Sequence, residues 1–429
     1  MFKKALSLIL VVVMLSALVV SFASCNKDDT TDKGASVADM TQEPLTAVQL
    51  TKDFEIPADF KLGVICLHDE ASTYDLNFIN GVEKIKTVLG LTNEQVIYKK
   101  NISESAACTE AADDLVDQGC DIVFANSFGH ESFLLDSAKK HPDVQFCHAT
   151  GTMAHTEETP NFHNAFASIY EGRFLAGVAA GLKLNEMIAA GKITADKAKM
   201  GYVGAFTYAE VISGYTSFYL GAKSVCPTVT MDVQFTGSWY DEIQEKEAAT
   251  ALINNGCVLI SQHADSMGAP SVCEERGVPN VSYNGSTGDS CPETFIVSSR
   301  IDWAPYYLYI IKQVCTGETI ADDWCGGIEE GSVVLTGINK TAAAAGTFEK
   351  IQEVAAKLQS GEIKVFDTDT FTVANNKLAD DHMADVDTDE AFAPDTDVVD
   401  GGEFQESKYR SAPYFDIKID GITLLNEKF

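Results

Sequence analysis

Basic residues are scarce in this chain of 429: 31 Lys and Arg stand against 63 Asp and Glu, a formal net charge of −32. A surface of that sign repels phosphate backbones, so nucleic acid is excluded as a partner. The chain also has no second apolar stretch long enough to span a bilayer after the run Ala5 to Phe22. None of its 11 cysteines belongs to a CxxC pair, which removes the usual structural zinc site. Ser266 follows a strand-like run but lacks the flanking glycines of a G-x-S-x-G nucleophile elbow. Cys66 in "GVICL", Cys147 in "VQFCHA" and Cys257 in "GCVLI" lie in or beside apolar runs, where cysteine behaves as a small hydrophobe. Mostly free, buried thiols are expected, with a Cys315–Cys325 bridge left open.

The N-terminus shows where the protein works. Lys3 and Lys4 precede the apolar run, which ends in small residues and Cys25. That order makes a secretory signal, and losing it leaves the chain two charges more negative. "SFASC" resembles a bacterial lipobox, with Phe22 where the pattern usually has Leu. Residues 1–24 are then a lipoprotein signal peptide. Cys25 becomes the lipidated first residue, on the extracellular face of the bacterial cell membrane. Residues 25–58 are polar and acidic and read as a flexible tether. With 45% hydrophobic residues, the remainder can build two packed lobes.

From Phe60 the chain alternates. Apolar runs such as "KLGVICL", "CDIVFAN", "MGYVGAF" and "CVLISQ" are separated by helical stretches of ten residues or more. This predicts βαβ units and parallel sheets, whose strands are apolar throughout because both faces are covered. So many strands divide most easily between two doubly wound lobes, with ligand-facing loops at the strands' carboxyl ends. "HDEASTY", "NSFGH", "FTYAE", "GSWYDE", "QHADS" and "YNGS" are polar or aromatic clusters at those ends. Residues 371–429 form an acidic extension, read around Lys377 to Gly402 as a solvated surface loop. Its "DVDTDEAFAPDT" departs from a calcium loop in having Glu390 and Thr396 at the sixth and twelfth positions.

"QHADS" puts His263, Asp265 and Ser266 within a few positions, open to readings as ligand clamp, metal site or catalytic group. A hydrolase needs a nucleophile with a base in reach and an orienting group, and Ser266 lacks the flanking glycines of a nucleophile elbow. The alternative of transition-metal capture would use His148, His155 and His163, whose spacings match no common ligand pattern. The clamp reading is preferred, with no catalytic residue, metal or cofactor expected.

"YEGRFLAGVAAG", "QHADS" and "DWAPYY", in that order behind a lipobox, resemble the basic-membrane-protein (BMP) family of ABC-transporter substrate-binding lipoproteins, purine and nucleoside branch. The resemblance runs from about Lys61 to Phe366. It implies a type I periplasmic-binding-protein fold: two α/β lobes joined by a three-segment hinge, with the ligand between them. Lobe 1 would hold residues 59–168 and 300–325, and lobe 2 residues 169–299 and 326–370. By the same resemblance Tyr74 stacks on a ligand base, and Ser127, Phe128, Phe206 and Trp239 line the cleft with His263 and Asp265. Asn284 stands where nucleoside-binding members carry an Asp that grips ribose hydroxyls, which turns the expectation from a nucleoside towards a free purine base. Aromatic faces suit such a ring, and Asp265, Asn284 and Ser127 could meet its donors and acceptors. The implied partners are an ABC permease and ATPase, with the protein a lipid-anchored monomer.

Overall fold

The computed structural model describes residues 40–45, 48–386 and 393–427. The signal segment, Cys25, and Asp387, Asp389 and Glu390 of the acidic stretch lie outside the described residues.

The first half lays down β1 (Leu62–Ile65), β2 (Val96–Lys99), β3 (Ile122–Ala125), β4 (Gln145–Ala149) and β5 (Phe162–Ala167). A second set follows: β6 (Lys199–Gly204), β7 (Thr230–Phe235), β8 (Leu259–His263), β9 (Asn280–Tyr283) and β10 (Phe295–Ile301). The chain then returns with β11 (Asp323–Gly326) to the first sheet and β12 (Val333–Leu335) to the second. The first sheet has the order β11-β5-β4-β3-β1-β2, with every pair parallel. The second runs β12-β10-β9-β8-β6-β7, parallel except for β12. Residues of β1, β3, β8 and β9 are buried throughout; β1 and β3 accordingly read as unbroken apolar runs, whereas β8 and β9 carry buried Ser261, Gln262, His263, Asn280 and Ser282.

The chain crosses between the lobes three times: after β5, after β10 and between β11 and β12. At the second crossing, Lys84 of the first lobe reaches Asp302 at 2.5 Å. The helix Ile169–Ala189 leaves the first crossing and lies against the helix Ala209–Val225. A Cβ added at Gly177 would strike the Phe218 carbonyl, and one at Gly221 the Phe174 carbonyl. The small residues of "GRFLAGVAAG" therefore serve backbone-close helix packing.

Two stretches differ from expectation. The later part of the supposed tether docks on the body, where the Thr41 N–H donates to the Ile338 carbonyl at 2.9 Å. Leu45 is buried, and Leu50, Phe54 and Ile56 pack on the core. These few apolar residues escape a composition-based reading. The acidic extension is likewise anchored: Val386, Val398, Val399 and Phe404 are buried, as is Glu406, which accepts from the Tyr414 and Phe415 N–H groups, while Asp380, Asp381 and Asp400 are exposed. Phe415 stacks on Phe366 at 4.3 Å. The strand Ile422–Leu424 joins the second sheet beside β7, and the Ser411 N–H donates to Asp323 of β11 at 2.6 Å. The ten described cysteines are free, including Cys315 and Cys325, and the other eight are buried.

Candidate functional site

Where the two sets of strand ends face each other, Leu67, His68, Tyr74, Asp75, Ser127, Phe128 and Thr150 form one wall. Glu210, Trp239, His263, Asp265, Tyr283 and Asn284 form the other. Between them lies a cavity of about 20 Å³, close to the volume one water fills. The lobes are shut. Closure is held by the Thr73 N–H and hydroxyl, which donate to the Asp265 carbonyl at 3.3 and 3.2 Å. Asn77 also donates to Asn284 across the cleft at 3.3 Å.

The first wall is built around Asp75. Ser72 caps the helix Thr73–Leu89 by accepting from the Asp75 N–H. The Asp75 carboxylate accepts from Asn126 Nδ2 at 2.7 Å and from the His68 N–H at 3.1 Å. Burial pushes this carboxyl up, but donors from His68, Asn126 and Ser72 outweigh it and hold it below its usual range. Tyr74 donates its hydroxyl to the Asn126 carbonyl at 2.7 Å, which fixes its ring over the cleft. Ser127 gives its hydroxyl proton to Glu104 at 2.7 Å, so towards a ligand it can only accept.

The second wall is aromatic and less satisfied. Phe206 stacks on Tyr208 at 5.1 Å and meets Trp239 edge-on at 5.0 Å. Tyr208 faces Phe128 of the other lobe at 5.4 Å. His263 lies 4.4 Å from the Tyr283 ring and 3.4 Å from Glu210. Its burial keeps the imidazole neutral despite Glu210. Asp265 accepts from Asn284 Nδ2 at 3.2 Å. Burial, then Asp75 and Glu245, drive its carboxyl well above the usual range, against the pull of Asn284. Asn284 itself adopts φ +63°, a left-handed backbone that asparagine tolerates better than most residues. Behind this wall Arg173 is fully buried, donating to Ser261 at 2.8 Å, Tyr202 at 3.2 Å and Ser299 at 3.3 Å.

Seven of the eight residues expected at the site line the cavity; Phe206 stands one ring back, behind Trp239 and Tyr208. Glu210, His68, Asp75, Thr150 and Tyr283 were not expected individually, though all fall inside or beside strand-end clusters, Thr150 in "HATG". The three histidines of the metal alternative go separate ways. His148 bonds the Ser127 carbonyl, His155 bonds Asp323, and His163 bonds Gln145 and the Ala321 carbonyl. No cluster of three or more metal-ligating side chains occurs among the described residues. Ser266 is turned to the backbone, its hydroxyl accepting from the Gly268 N–H at 3.0 Å. Among the described residues no Lys or Arg lines the cavity. The wall can therefore accept hydrogen bonds from a ligand and stack on it, and it repels anions.

Two α/β lobes, three crossings and a cleft at the strand ends define a two-lobed solute-binding protein. The chain belongs to the Bmp family, described as ABC transporter substrate-binding protein PnrA-like, which matches residues 65–369. It is 31% identical over 272 residues to a purine-binding protein of Brucella abortus, covering 63% of this chain and 73% of that one. It is 34% identical over 215 residues to a Haloferax volcanii protein named as an ABC transporter glucose-binding protein, covering 50% of this chain and about half (51%) of that one. Among solved structures, an ABC transporter solute-binding protein of Conexibacter woesei shares the fold: TM-score 0.58 at 19% identity, over 71% of this chain and 98% of that one. The protein is thus an extracytoplasmic substrate-binding component of an ABC transporter. No described helix is long and apolar enough to cross a membrane.

Proposed function

We propose that this protein captures a purine base between its lobes and hands it, chemically unchanged, to an ABC permease and ATPase. The observation that carries this reading is a cleft of aromatic rings and buried carboxylates with no described cation on its wall. A neutral ring bearing N–H groups satisfies both features, whereas a phosphorylated nucleotide is repelled. One observation favours a base over a nucleoside. Asn284 is already shared between Asn77 and Asp265, leaving no free carboxylate there for a ribose. The name of the Brucella relative, matched over more of the chain than the glucose-named one, points the same way. In this reading the body works as a monomer, tethered to the outer face of the membrane through lipidated Cys25.

Calorimetric titration of the mature protein with adenine, guanine, hypoxanthine, xanthine, their nucleosides, glucose and zinc tests the proposal. Saturable binding of a base, tighter than its nucleoside, is the expected result. Binding of glucose or zinc without any purine would overturn it.

A further inference from the structure

Glu245 lies in the helix Glu242–Asn254, outside the cavity, fully buried, and is given no role by the reading above. Its Oε1 accepts two backbone N–H groups, from Asp241 at 3.2 Å and from Ser266 at 3.3 Å. Those donors belong to two different loops. One carries Trp239, the other Asp265, and the two are joined directly by the Asp265 N–H donating to the Trp239 carbonyl at 3.0 Å. The second oxygen, Oε2, is buried without a partner. A Cβ on Gly268 would come within 2.8 Å of the Glu245 Cβ, so the helix and the "HADS" loop are packed close together at this point.

We propose that Glu245 is a positioning residue for the ligand site, fixing Trp239 and Asp265 in register and tuning the charge on Asp265 from behind. The idea rests on the purine-cleft reading, because it presumes that those two side chains meet the ligand. A carboxylate acceptor shared by two loops holds the stacking ring and the hydrogen-bonding carboxylate as one unit. Losing it would free each loop separately.

The electrostatics add a second consequence. Burial pushes the Glu245 carboxyl up to about 7, opposed by donors from Ser266 and Asp241 and assisted by the Asp241 charge. The other titratable groups its charge reaches are Asp265 and Tyr240; on its own helix the exposed Glu242 is paired with Lys246 at 2.6 Å. Arg276, on the adjoining helix Gly268–Arg276, points to Asn254 instead. Near neutral pH Glu245 therefore passes from neutral to charged, and its charge raises the proton affinity of Asp265. As pH rises through about 7, Glu245 increasingly opposes the ionised Asp265 that would accept a ligand's N–H groups.

The test is adenine titration of wild type, Glu245→Gln and Glu245→Ala at pH 6 and pH 8. Gln keeps an acceptor for the two N–H groups but cannot ionise. Glu245→Gln should match wild type at pH 6 and bind more tightly at pH 8, on the order of threefold or more. Glu245→Ala should weaken binding at both pH values. If Glu245→Ala misfolds, the pH profile of Glu245→Gln still decides. Wild-type binding with Glu245→Gln tracking it at both pH values, or with folded Glu245→Ala unaffected, overturns the proposal. Failure of wild type itself to bind adenine or any other purine overturns the purine reading instead.

Discussion

The two walls of the cleft carry buried carboxylates in opposite states. Asp75 in the first lobe is surrounded by donors and held ionised. Asp265 in the second has one side-chain donor, Asn284, and is pushed towards its neutral form by burial and by Asp75 itself. Around Asp75 the hydrogen bonds of the first wall are made before any ligand arrives and serve the fold, although the Thr150 hydroxyl is buried there without a partner. The second is left short of donors, a state that destabilises the empty protein and favours a ligand able to supply them. Where a polar group lies unsatisfied therefore says more about function than where polar groups gather.

If this contrast is right, the same change of acid to amide acts oppositely on the two walls. Asp75→Asn puts an NH₂ group among donors, and should lower unfolding free energy at pH 7 by about 2–3 kcal/mol, measured by urea denaturation. Because the folded carboxyl lies below its unfolded value near 4, the stability it adds is complete above about pH 4 and lost as pH falls through the folded value. The gap between variant and wild type should shrink at pH 3. A gap that stayed constant from pH 7 to pH 3 would deny Asp75 its ionised state.

Smaller effects should follow on the ligand side. Trp239→Ala and Tyr74→Ala each remove a ring from the closed site, a loss of about 2 kcal/mol that weakens binding more than tenfold with little change in fold. Normal binding by both variants would place the ligand elsewhere. Asp265→Asn should stabilise the empty protein at pH 7, raising Tm by roughly 2 °C. Its sign follows from the raised carboxyl: folded stability declines as pH rises from about 4 through the raised value, and the amide has no such decline. A lower Tm for Asp265→Asn would make Asp265 a structural residue like Asp75, and the two walls would no longer differ.

The alternation of apolar runs and helical stretches made both lobes legible, because each sheet is covered on both faces and strands such as β1 and β3 read as one apolar block. The strand-end clusters likewise led to Trp239, Asp265 and Asn284, since the topology brings carboxyl ends together. Three features were hidden. Arg173 is visible in "YEGR" but its partners are scattered over four strands, the hydroxyls of Tyr202, Ser261 and Ser299 and the carbonyl of Ser282. Glu210 and Glu245 look like ordinary helix acids, and only the packing shows that one lines the cavity and the other is buried behind it. The edge strand Ile422–Leu424 is three residues long, too short for any periodicity to register.

The claim that Asp265 reads a ligand's donors from an under-satisfied wall is tested most directly by comparing adenine and xanthine affinities before and after Asp265→Ala. A charge-assisted hydrogen bond is worth about 1.5–3 kcal/mol, so adenine binding should weaken tenfold or more while xanthine, with a carbonyl in place of the amine, loses clearly less. Equal weakening of both ligands would contradict the account and leave Asp265 as a support for its loop.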